Sequence, residues 1–436
     1  MPGLSKMVIG AAIGVFASAG LAAGHAKPIM IEAGEVQVAT PTGEMRTMRK
    51  VYEIKPFCFT GKPLTDAQVA RVRDRLLGER PKPVQQIIAS DPTRSGLTII
   101  FNITTNAPAE GPAALQAIAD IYFDLFDDNI TIELDIEFDD SSFGAAGSAL
   151  LIDDYDVYRD ALLADADADD DLLAFLPAGS LPARLTQGGP VAGEPETLFN
   201  TSLWKAVGGG DTDGPDATLF IGTPTGGFPL DFDPADGFTP GTWSARDILA
   251  HEFGHALGFT SGIDTQDFGF GQPRPLDYFR FDEANAPATN AQFTAFPRLL
   301  DGTPSSIGEH VFSSVENEYG LSNSSDFQAS HWFVQTPRIG AMNANIAPAE
   351  TRFPEYLLAP DIEAFDLMGY DRVEATDTPC SPADLAAPFG TLDFFDVLEY
   401  LATFDTNDPA ADLAAPLGTL DFFDVLDYLG TFDAGC

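Results

Sequence analysis

The stretch HEFGHALGF, which spans His251 to Phe259, decides the fold and the chemistry that this sequence predicts. On a helix, His251 and His255 are four residues apart and therefore project from the same face, one turn above the other. That spacing lets both imidazoles bind one zinc ion, while Glu252 lies beside the metal as a proton acceptor for its bound water. The alternative is a buried amphipathic helix in which the histidines are incidental.

Three observations favour the zinc site over that alternative. Gly258 follows three residues after the second histidine, where the helix must stop, because glycine adopts left-handed backbone angles without a Cβ penalty. The segment opens with a capping signal, since the hydroxyl of Thr242 or Ser244 can cap the first turn and Asp247 complements the helix dipole. Only five histidines occur in the whole chain. We therefore predict a zinc-binding helix that begins at Thr242 or Ser244 and ends at Gly258.

The composition is that of a large, acidic, globular protein. The 436 residues are 44% hydrophobic, which allows a sizeable core and two or three domains. Asp and Glu number 66 against 23 Lys and Arg, which gives a formal net charge of −43. Such a charge repels phosphate backbones and anionic lipid, so we expect neither nucleic acid nor a membrane surface as a partner.

The first 26 residues have the pattern of a secretory signal. Lys6 supplies the positive charge, residues 7–24 are apolar and rich in Ala and Gly, and residues 24–26 offer a small-x-small cleavage site. The alternative is an N-terminal membrane anchor. No later run of about 18 apolar residues follows in the sequence. We therefore expect a secreted, extracellular protein without a membrane span after removal of the signal at 1–26.

The next part of the chain divides into an N-terminal segment at 27–94 and a catalytic domain at 95–373. The N-terminal segment is either a propeptide or the first layer of the catalytic domain. Within the catalytic domain, residues 97–104 and 130–138 have strand patterns, and residues 112–126 carry apolar side chains at helical spacing. A strand, a helix and a strand ahead of the histidine helix indicate an α+β fold.

Two acidic stretches are candidate calcium sites. Residues 164–171 read ADADADDD, for which a solvated loop or helix end is the alternative to calcium binding. Residues 208–216 read GGGDTDGPD, which is better spaced for a calcium loop, although turn formation explains the same residues at least as well. A structural Ca²⁺ ion is therefore an open expectation.

A catalytic zinc needs a third protein ligand in addition to an open position for water. In the compact pattern HExxHxxGxxH that ligand falls on residue 261, but Ser261 is a poor zinc ligand. The histidines that remain outside the predicted signal are His310 and His331. The other alternative is a downstream carboxylate, for which four glutamates are available: Glu283, Glu309, Glu316 and Glu318.

A second group of motifs follows the histidine helix in a defined order. The pair HW at 331–332 is followed by IGAMN at 339–343 and then by PDIEAFDLMGY at 360–370. After HExxHxxG, this order and spacing resemble the leishmanolysin-type branch of the metzincin zinc proteases and the secreted bacterial metalloproteases related to it. The resemblance is dense over 244–260 and 328–371.

The resemblance implies a fold and a set of roles. The fold would contain a twisted sheet, an active-site helix and a C-terminal subdomain with a Met-turn and a closing helix at 360–368. His331 would be the third zinc ligand, Met342 the hydrophobic floor under the zinc, and Glu252 the general base of a zinc endopeptidase. The substrate would be a protein or an extended peptide lying along an edge strand. Some metzincins place a Tyr two residues after the Met, where this chain has Ala344.

The competing hypothesis is a noncatalytic adhesion or surface-assembly protein that keeps a degenerate protease fold. The intact HExxH motif argues against it, because Glu252 has no obvious structural need between two metal-binding histidines. The sequence therefore favours a secreted zinc endopeptidase.

A tandem repeat follows a short linker at 374–379 and fills the C-terminal segment at 380–436. Residues 384–405 recur at 412–433 with a period of 28, and only three of the 22 positions differ. Each unit is an acidic loop followed by a short helix, and neither unit can bury its apolar face alone. We therefore expect the two helices to pack on each other through one apolar stripe, which in the first helix contains Phe394, Val397, Leu398 and Leu401.

The repeat resembles dockerin modules, which implies an anchoring role through a partner protein. Oxygen ligands alternate in dockerin loops, but Ala386 and Pro388 occupy the early positions here, which places calcium binding in doubt. Cys380 immediately precedes the first repeat and Cys436 closes the second, so in an exported chain we expect a disulfide bond between them. Cys58 would then remain a free thiol.

Overall fold

The computed structural model describes residues 28–54, 80–91, 95–373 and 379–435, together with residues 70, 73 and 77. The two long ranges contain short gaps at 141–142, 168–169, 187–188, 228, 234–238, 303–309, 324–327, 335–336, 347–349, 352–355, 387–391, 393 and 416–417. The predicted signal at 1–26, Cys58, Cys436 and most of the predicted linker lie outside the described residues.

A mixed sheet of eight strands forms the centre of the described fold. Its strands are β1 (Ile29–Ala39), β2 (Met45–Ile54), β3 (Gln85–Ser90), β4 (Thr98–Ile103), β5 (Thr131–Phe138), β6 (Gly144–Asp154), β9 (Glu196–Asn200) and β10 (Ala217–Ile221). Their order across the sheet is β1-β2-β6-β10-β5-β4-β3, and β9 pairs with β6. Strands β4, β5 and β10 are parallel to one another, whereas β6 is antiparallel to both β10 and β2.

Three smaller sheets surround the central one. One contains β7 (Leu181–Arg184), β8 (Ala192–Glu194) and β14 (Arg298–Leu299), and another pairs β11 (Leu230–Asp231) with β12 (Trp243–Ser244). The third contains β13 (Arg280–Asp282), β15 (His310–Ser313) and β16 (Glu318–Leu321). This third sheet precedes the segment that carries His331.

Eight α-helices occur in the part of the chain that the structure describes. They are α1 (Gly111–Leu125), α2 (Tyr155–Asp165), α3 (Thr201–Ala206), α4 (Ala245–Leu257), α5 (Asn290–Ala295), α6 (Ala359–Leu367), α7 (Phe394–Asp405) and α8 (Phe422–Asp433). Among these helices, none combines the length and the apolar character that crossing a membrane requires. The mixture of helices with a largely mixed sheet agrees with the predicted α+β class.

Helices α1 and α4 pack together against the central sheet. The ring of Tyr122 in α1 lies edge to face on Phe253 of α4, with centroids 4.5 Å apart, and its hydroxyl donates to the carbonyl of Ala250 at 3.4 Å. Phe253 in turn contacts Phe101 of β4, with centroids 6.3 Å apart. Because these aromatic side chains are fully buried, the backbone of α4 is fixed by the core that it helps to form.

The N-terminal segment at 27–94 contributes three strands, β1 to β3, to the central sheet. It is also joined to the chain beyond α4 by a buried ion pair, in which the Nη atoms of Arg274 contact both carboxylate oxygens of Glu53 at 2.7 and 3.1 Å. Both side chains are fully buried, so removing either partner would leave an uncompensated charge in the interior. The described strands of this segment are thus a layer of the same domain.

The chain divides into two compact units, Met1–Arg372 and Val373–Cys436. In the second unit, Tyr400 of α7 and Tyr428 of α8 stack with ring centroids 4.0 Å apart and an interplanar angle of 5°. The hydroxyl of each ring donates to the carbonyl of the residue that immediately precedes the other repeat, Ala411 for Tyr400 and Ala383 for Tyr428, both at 3.1 Å. Cys380 is disulfide-bonded, and its partner falls outside the described residues.

The apolar stripe predicted for the repeat helices is wrong in part. The exposed fractions of Phe394, Leu398 and Leu401 are 67%, 45% and 44%, whereas Tyr400 is buried and Val397 packs beside it. The packed face follows positions 397, 400 and 404; it shares Val397 with the predicted stripe and is centred about 80° around the helix from it. Tyrosine is favoured at the centre of this small core because its ring is buried while its hydroxyl still has a hydrogen-bond partner.

Candidate metal centre

Helix α4 positions two of the three histidines of the site, and its ends are fixed by local chemistry. The hydroxyl of Ser244 caps the first turn by accepting a hydrogen bond from the amide of Asp247 at 3.2 Å. The helix ends at Gly258, whose φ of 124° favours glycine. Ser244 rather than Thr242 is therefore the cap, and the glycine ends the helix at the predicted residue.

Three imidazoles converge in a fully buried cluster. The Nε2 atom of His331 lies 3.2 Å from the Nε2 atoms of both His251 and His255, which are 3.1 Å from each other. All three side chains are inaccessible to solvent. Among the described residues, this is the one group of three or more His, Cys, Asp or Glu side chains whose ligand atoms lie within 4.8 Å of one another.

The second nitrogen of each ring determines what the cluster can bind. Each Nδ1 atom lies within hydrogen-bond distance of a backbone carbonyl: Ala341 at 2.8 Å for His251, Phe259 at 2.7 Å for His255 and Gln328 at 3.0 Å for His331. Because a carbonyl oxygen only accepts, each Nδ1 carries the proton and each neutral ring presents a lone pair at Nε2. Three lone pairs that face one another are favourable only around a cation.

The spacing of the three nitrogens fits a small tetrahedral metal ion. Zinc binds imidazole nitrogen at about 2.0–2.1 Å, and tetrahedral geometry then places neighbouring nitrogens about 3.3 Å apart. The observed separations of 3.1–3.2 Å are close to that value. The residues present therefore fit a metal with three imidazole ligands.

Glu252 is buried next to His251 and is accommodated by a glycine on the sheet. A Cβ built on Gly144, the first residue of β6, would overlap the side chain of Ile248 and approach the Oε1 atom of Glu252 to 2.8 Å. Glycine at this position therefore lets α4 lie close to the strand with the carboxylate between them. Sequence reasoning missed Gly144, which carries no signal in the one-dimensional pattern.

Met342 packs under the histidines from the other side of α4. Its side chain is fully buried, and a Cβ built on Gly254 would overlap its Sδ atom. Gly254 lies between the two histidines of the helix, so its missing side chain is what admits the methionine. The structure thus brings Met342 against the helix that carries His251 and His255, and its role as a hydrophobic floor stays a prediction.

Asp361 at the start of α6 ties the segments around Met342 and His331 together. Its carboxylate accepts hydrogen bonds from the indole of Trp332 at 2.8 Å and from the backbone amides of Ala341 at 2.6 Å and Met342 at 3.2 Å. Burial raises the pKa of Asp361, and the donors oppose that rise. Asp361 thus holds Trp332, the neighbour of His331. It also holds the backbone at Ala341, whose carbonyl orients the ring of His251.

Two further buried groups hold the backbone that leads into His331. Asp264 accepts from the amides of Ala329 at 2.6 Å and Ser330 at 3.1 Å. Arg280 donates to the carbonyl of Ala329 at 2.6 Å. Neither residue was a sequence candidate, because both act through a segment that is about 50 or more residues away in the chain.

The other candidates for the third ligand do not join the cluster. His310 is buried, but its Nδ1 atom lies 3.2 Å from Arg280, and burial followed by that positive charge lowers its pKa well below the ordinary value. Ser261 donates to Asp277 at 2.7 Å. Of the four glutamates, Glu309 lies outside the described residues and the others, Glu283, Glu316 and Glu318, are exposed.

The loop at 208–216, a predicted calcium candidate, binds two ammonium groups instead. The Nζ atom of Lys205 lies 2.8 Å from carboxylate oxygens of both Asp211 and Asp216. The Nζ atom of Lys50 donates to the hydroxyl of Thr212 at 3.1 Å and to the carbonyl of Asp213 at 2.6 Å. Lysine ammonium groups therefore already contact oxygens of this loop, and calcium binding there stays a prediction.

Comparisons of the chain with protein-family models, with curated proteins and with solved structures find no match. The function is therefore argued from the geometry of the site alone.

Proposed function

We propose that this chain is a secreted, zinc-dependent endopeptidase. The observation that carries the proposal is the convergence of three buried Nε2 atoms within 3.2 Å of one another, two of them from the helix that also carries the fully buried Glu252. Three imidazoles with one open position are typical of catalytic rather than structural zinc sites. His251, His255 and His331 would hold the metal.

Zinc bound by these residues would lower the pKa of a coordinated water to about 7 and polarise the scissile carbonyl. Glu252 then acts as the general base that accepts the proton of the attacking water, and it returns that proton to the leaving amine. The carbonyls of Ala341, Phe259 and Gln328 keep the three rings in one tautomer throughout. No serine or cysteine nucleophile is needed.

The rival proposal is a noncatalytic adhesion or surface-assembly protein. Such a protein has no use for a fully buried carboxylate in the helix that carries two of the imidazoles, because desolvating a carboxylate is costly unless its charge is used. The placement of Glu252 therefore favours the enzyme. The metzincin-like character of the fold belongs to this same proposal and is supported by the order of the helix, His331, Met342 and α6.

We further propose that the C-terminal unit attaches the enzyme to a partner protein. Ten large apolar side chains of this unit are exposed, in pairs related by the repeat: Leu385 and Leu413, Phe394 and Phe422, Phe395 and Phe423, Leu398 and Leu426, and Leu401 and Leu429. Exposed apolar side chains in such numbers are typical of an interaction surface. The surface of that partner would be apolar.

The test of the enzymatic proposal is a metal and activity measurement on the purified full-length chain. One equivalent of zinc, hydrolysis of casein, loss of hydrolysis in a chelator and its return with added Zn²⁺ are the expected results. A protein that binds zinc stoichiometrically and cleaves no protein substrate would instead support the adhesion alternative.

A further inference from the structure

A second group of acidic side chains, separate from the histidine cluster, lies where three segments of the first unit come together. Asp128 follows α1, Asp165 is the last residue of α2, and Asp371 follows α6. The first and third segments are joined directly, because the amide of Asp127 donates to the carbonyl of Asp371 at 2.9 Å. Helix α2, which leads into the stretch ADADADDD at 164–171, is joined to the third segment by the hydroxyl of Tyr158, which donates to the carbonyl of Met368 at 2.7 Å.

Asp128 is the residue of this group whose surroundings indicate a bound ion. Its side chain is only 3% exposed, yet no hydrogen bond of ordinary geometry reaches either carboxylate oxygen among the described residues. Leaving a carboxylate buried without such partners is costly, so buried charges are usually paired or bind a metal. A neutralising ion at this position would remove that cost.

The charges around Asp128 increase the cost of ionising it. Burial raises its pKa well above the ordinary value, and the carboxylates of Asp371 and Asp165 raise it further, whereas the nearby backbone amides of Asp128 and Asp371 partly oppose that rise. Burial likewise raises the pKa of Asp165 to about 7, with added effects from Asp371, Asp170 and Asp167. The largest charge effects on both groups therefore come from other carboxylates, whose negative charge a bound cation would offset.

We propose that Asp128, Asp165 and Asp371 bind one Ca²⁺ ion, with Asp167 and Asp170 as further oxygen donors. Hard carboxylate oxygens without nitrogen or sulfur ligands select calcium over zinc. The three carboxylates do not all lie within 4.8 Å of one another, so binding must draw them together. Asp165 and Asp371 are only partly buried and lie at the ends of their elements, which allows that approach.

The ion would fix the base of the histidine helix. The segment that ends in Asp371 is already held by Tyr158 of α2, whose hydroxyl donates to the carbonyl of Met368 at 2.7 Å. It is also held by Tyr370, whose hydroxyl donates to the carbonyl of Leu257 at the end of α4 at 3.0 Å. Calcium would add a second link between α2 and this segment, so its effect is on stability and does not require catalysis.

The experiment measures thermal unfolding of the zinc-loaded full chain after dialysis into calcium-free buffer, with and without added CaCl₂. Saturating Ca²⁺ should raise the Tm of the first unit by roughly 3–8 °C. The Asp128→Asn variant should lose this shift and, without calcium, unfold at the same temperature as wild type or above it. The matched control is Asp160→Asn, which removes one exposed charge from the same helix α2 and should keep the shift.

Two results would overturn the proposal. One is the absence of any calcium-dependent shift in wild type. The other is a full shift in Asp128→Asn, which would assign the response to another part of the chain, such as the C-terminal repeats.

Dependence on pH provides a second arm of the test. The folded state holds a proton on Asp165 up to about pH 7, whereas the unfolded chain releases it near its ordinary pKa of about 3.9. Calcium-free stability should therefore fall as pH rises from about 4 to 7. Tyr158 and Tyr370, which also face the cluster, stay neutral because burial raises the pKa of each well above 10.

Ca²⁺ competes with the protons on Asp128 and Asp165, whose pKa values are raised, so its effect on the Tm should be larger at pH 8 than at pH 5. An equal calcium shift at both pH values would argue against binding by these groups.

Discussion

At the residue scale, the hydrogen bond on each Nδ1 atom is what makes three histidines into a metal site. Each ring is held in one tautomer by a backbone carbonyl, so all three Nε2 lone pairs point at one position. Glu252, the fully buried residue that follows His251, is not part of the three-nitrogen cluster. Mutations can therefore test the proposed histidine ligands and the proposed base, Glu252, separately.

Replacing Glu252 by Gln tests the base. The amide has nearly the same shape but cannot accept a proton, so zinc should remain bound while peptide hydrolysis falls by about two to four orders of magnitude. Zinc content by metal analysis and kcat on a peptide substrate are the measurements. Unchanged turnover would refute the proposed mechanism.

Replacing His331 by Ala tests the third ligand, and His310→Ala is its control. Both side chains are buried, but only His331 contributes an Nε2 atom to the cluster. Zinc occupancy should fall sharply in His331→Ala. It should persist in His310→Ala, which we expect to cost only stability, about 1–3 kcal/mol. Normal zinc in His331→Ala, with loss on changing one of the glutamates, would point to a carboxylate ligand.

At the scale of elements, the close contacts of α4 depend on glycines. Gly254 admits Met342 under the histidines, and Gly144 of β6 admits Glu252. The helix is thereby held between a strand and the segment that contains Met342. Two alanine variants separate this packing effect from helix propensity, which acts in the opposite direction.

Gly254→Ala should lower the unfolding free energy by about 1 kcal/mol and weaken zinc binding. Alanine favours the helix by about 0.8–1 kcal/mol, but the overlap with Met342 costs about 1–3 kcal/mol. Gly430→Ala in α8 is the matched control, because nothing lies within 4 Å of its added Cβ and the first repeat has Ala402 at that position. It should stabilise the C-terminal unit. Denaturant unfolding with competition by a zinc chelator measures both effects, and stabilisation by both variants would contradict the packing argument.

At the scale of the whole molecule, the chain consists of two compact units that divide after Arg372. The predicted linker at 374–379 begins two residues beyond this division. The first unit contains the complete histidine cluster, and the second has a small core centred on Tyr400 and Tyr428. Catalysis and attachment are therefore expected to be separable.

Deleting residues 374–436 should leave zinc binding and hydrolysis intact and should abolish attachment to the partner. Peptide mapping without reduction tests the same separation, because we expect Cys380 to pair with Cys436 and enclose 57 residues counted inclusively. The chain-entropy model credits such a loop with roughly 4 kcal/mol. A bond between Cys380 and Cys58, or loss of hydrolysis on deletion, would contradict independent units.

The sequence by itself determined the elements whose signals are local. The spacing of His251 and His255, the cap at Ser244 and the glycine at 258 specify α4, since helix periodicity and capping act within a few residues. The order of His331, Met342 and the PDIEAFDLMGY segment predicted which distant residues meet. The strand patterns at 97–104 and 130–138 likewise correspond to β4 and β5.

Only the tertiary structure decided which distant polar groups support the site and which apolar face is buried. Asp361, Asp264 and Arg280 act through the backbone of segments remote in the chain, and such hydrogen bonds leave no periodic trace in a sequence. The buried face of α7 depends on the stacking of Tyr400 with its counterpart in the other repeat, so the stripe predicted from one helix was displaced. Whether a helix face is buried depends on the surface that packs against it, and the sequence of a single segment does not contain that surface.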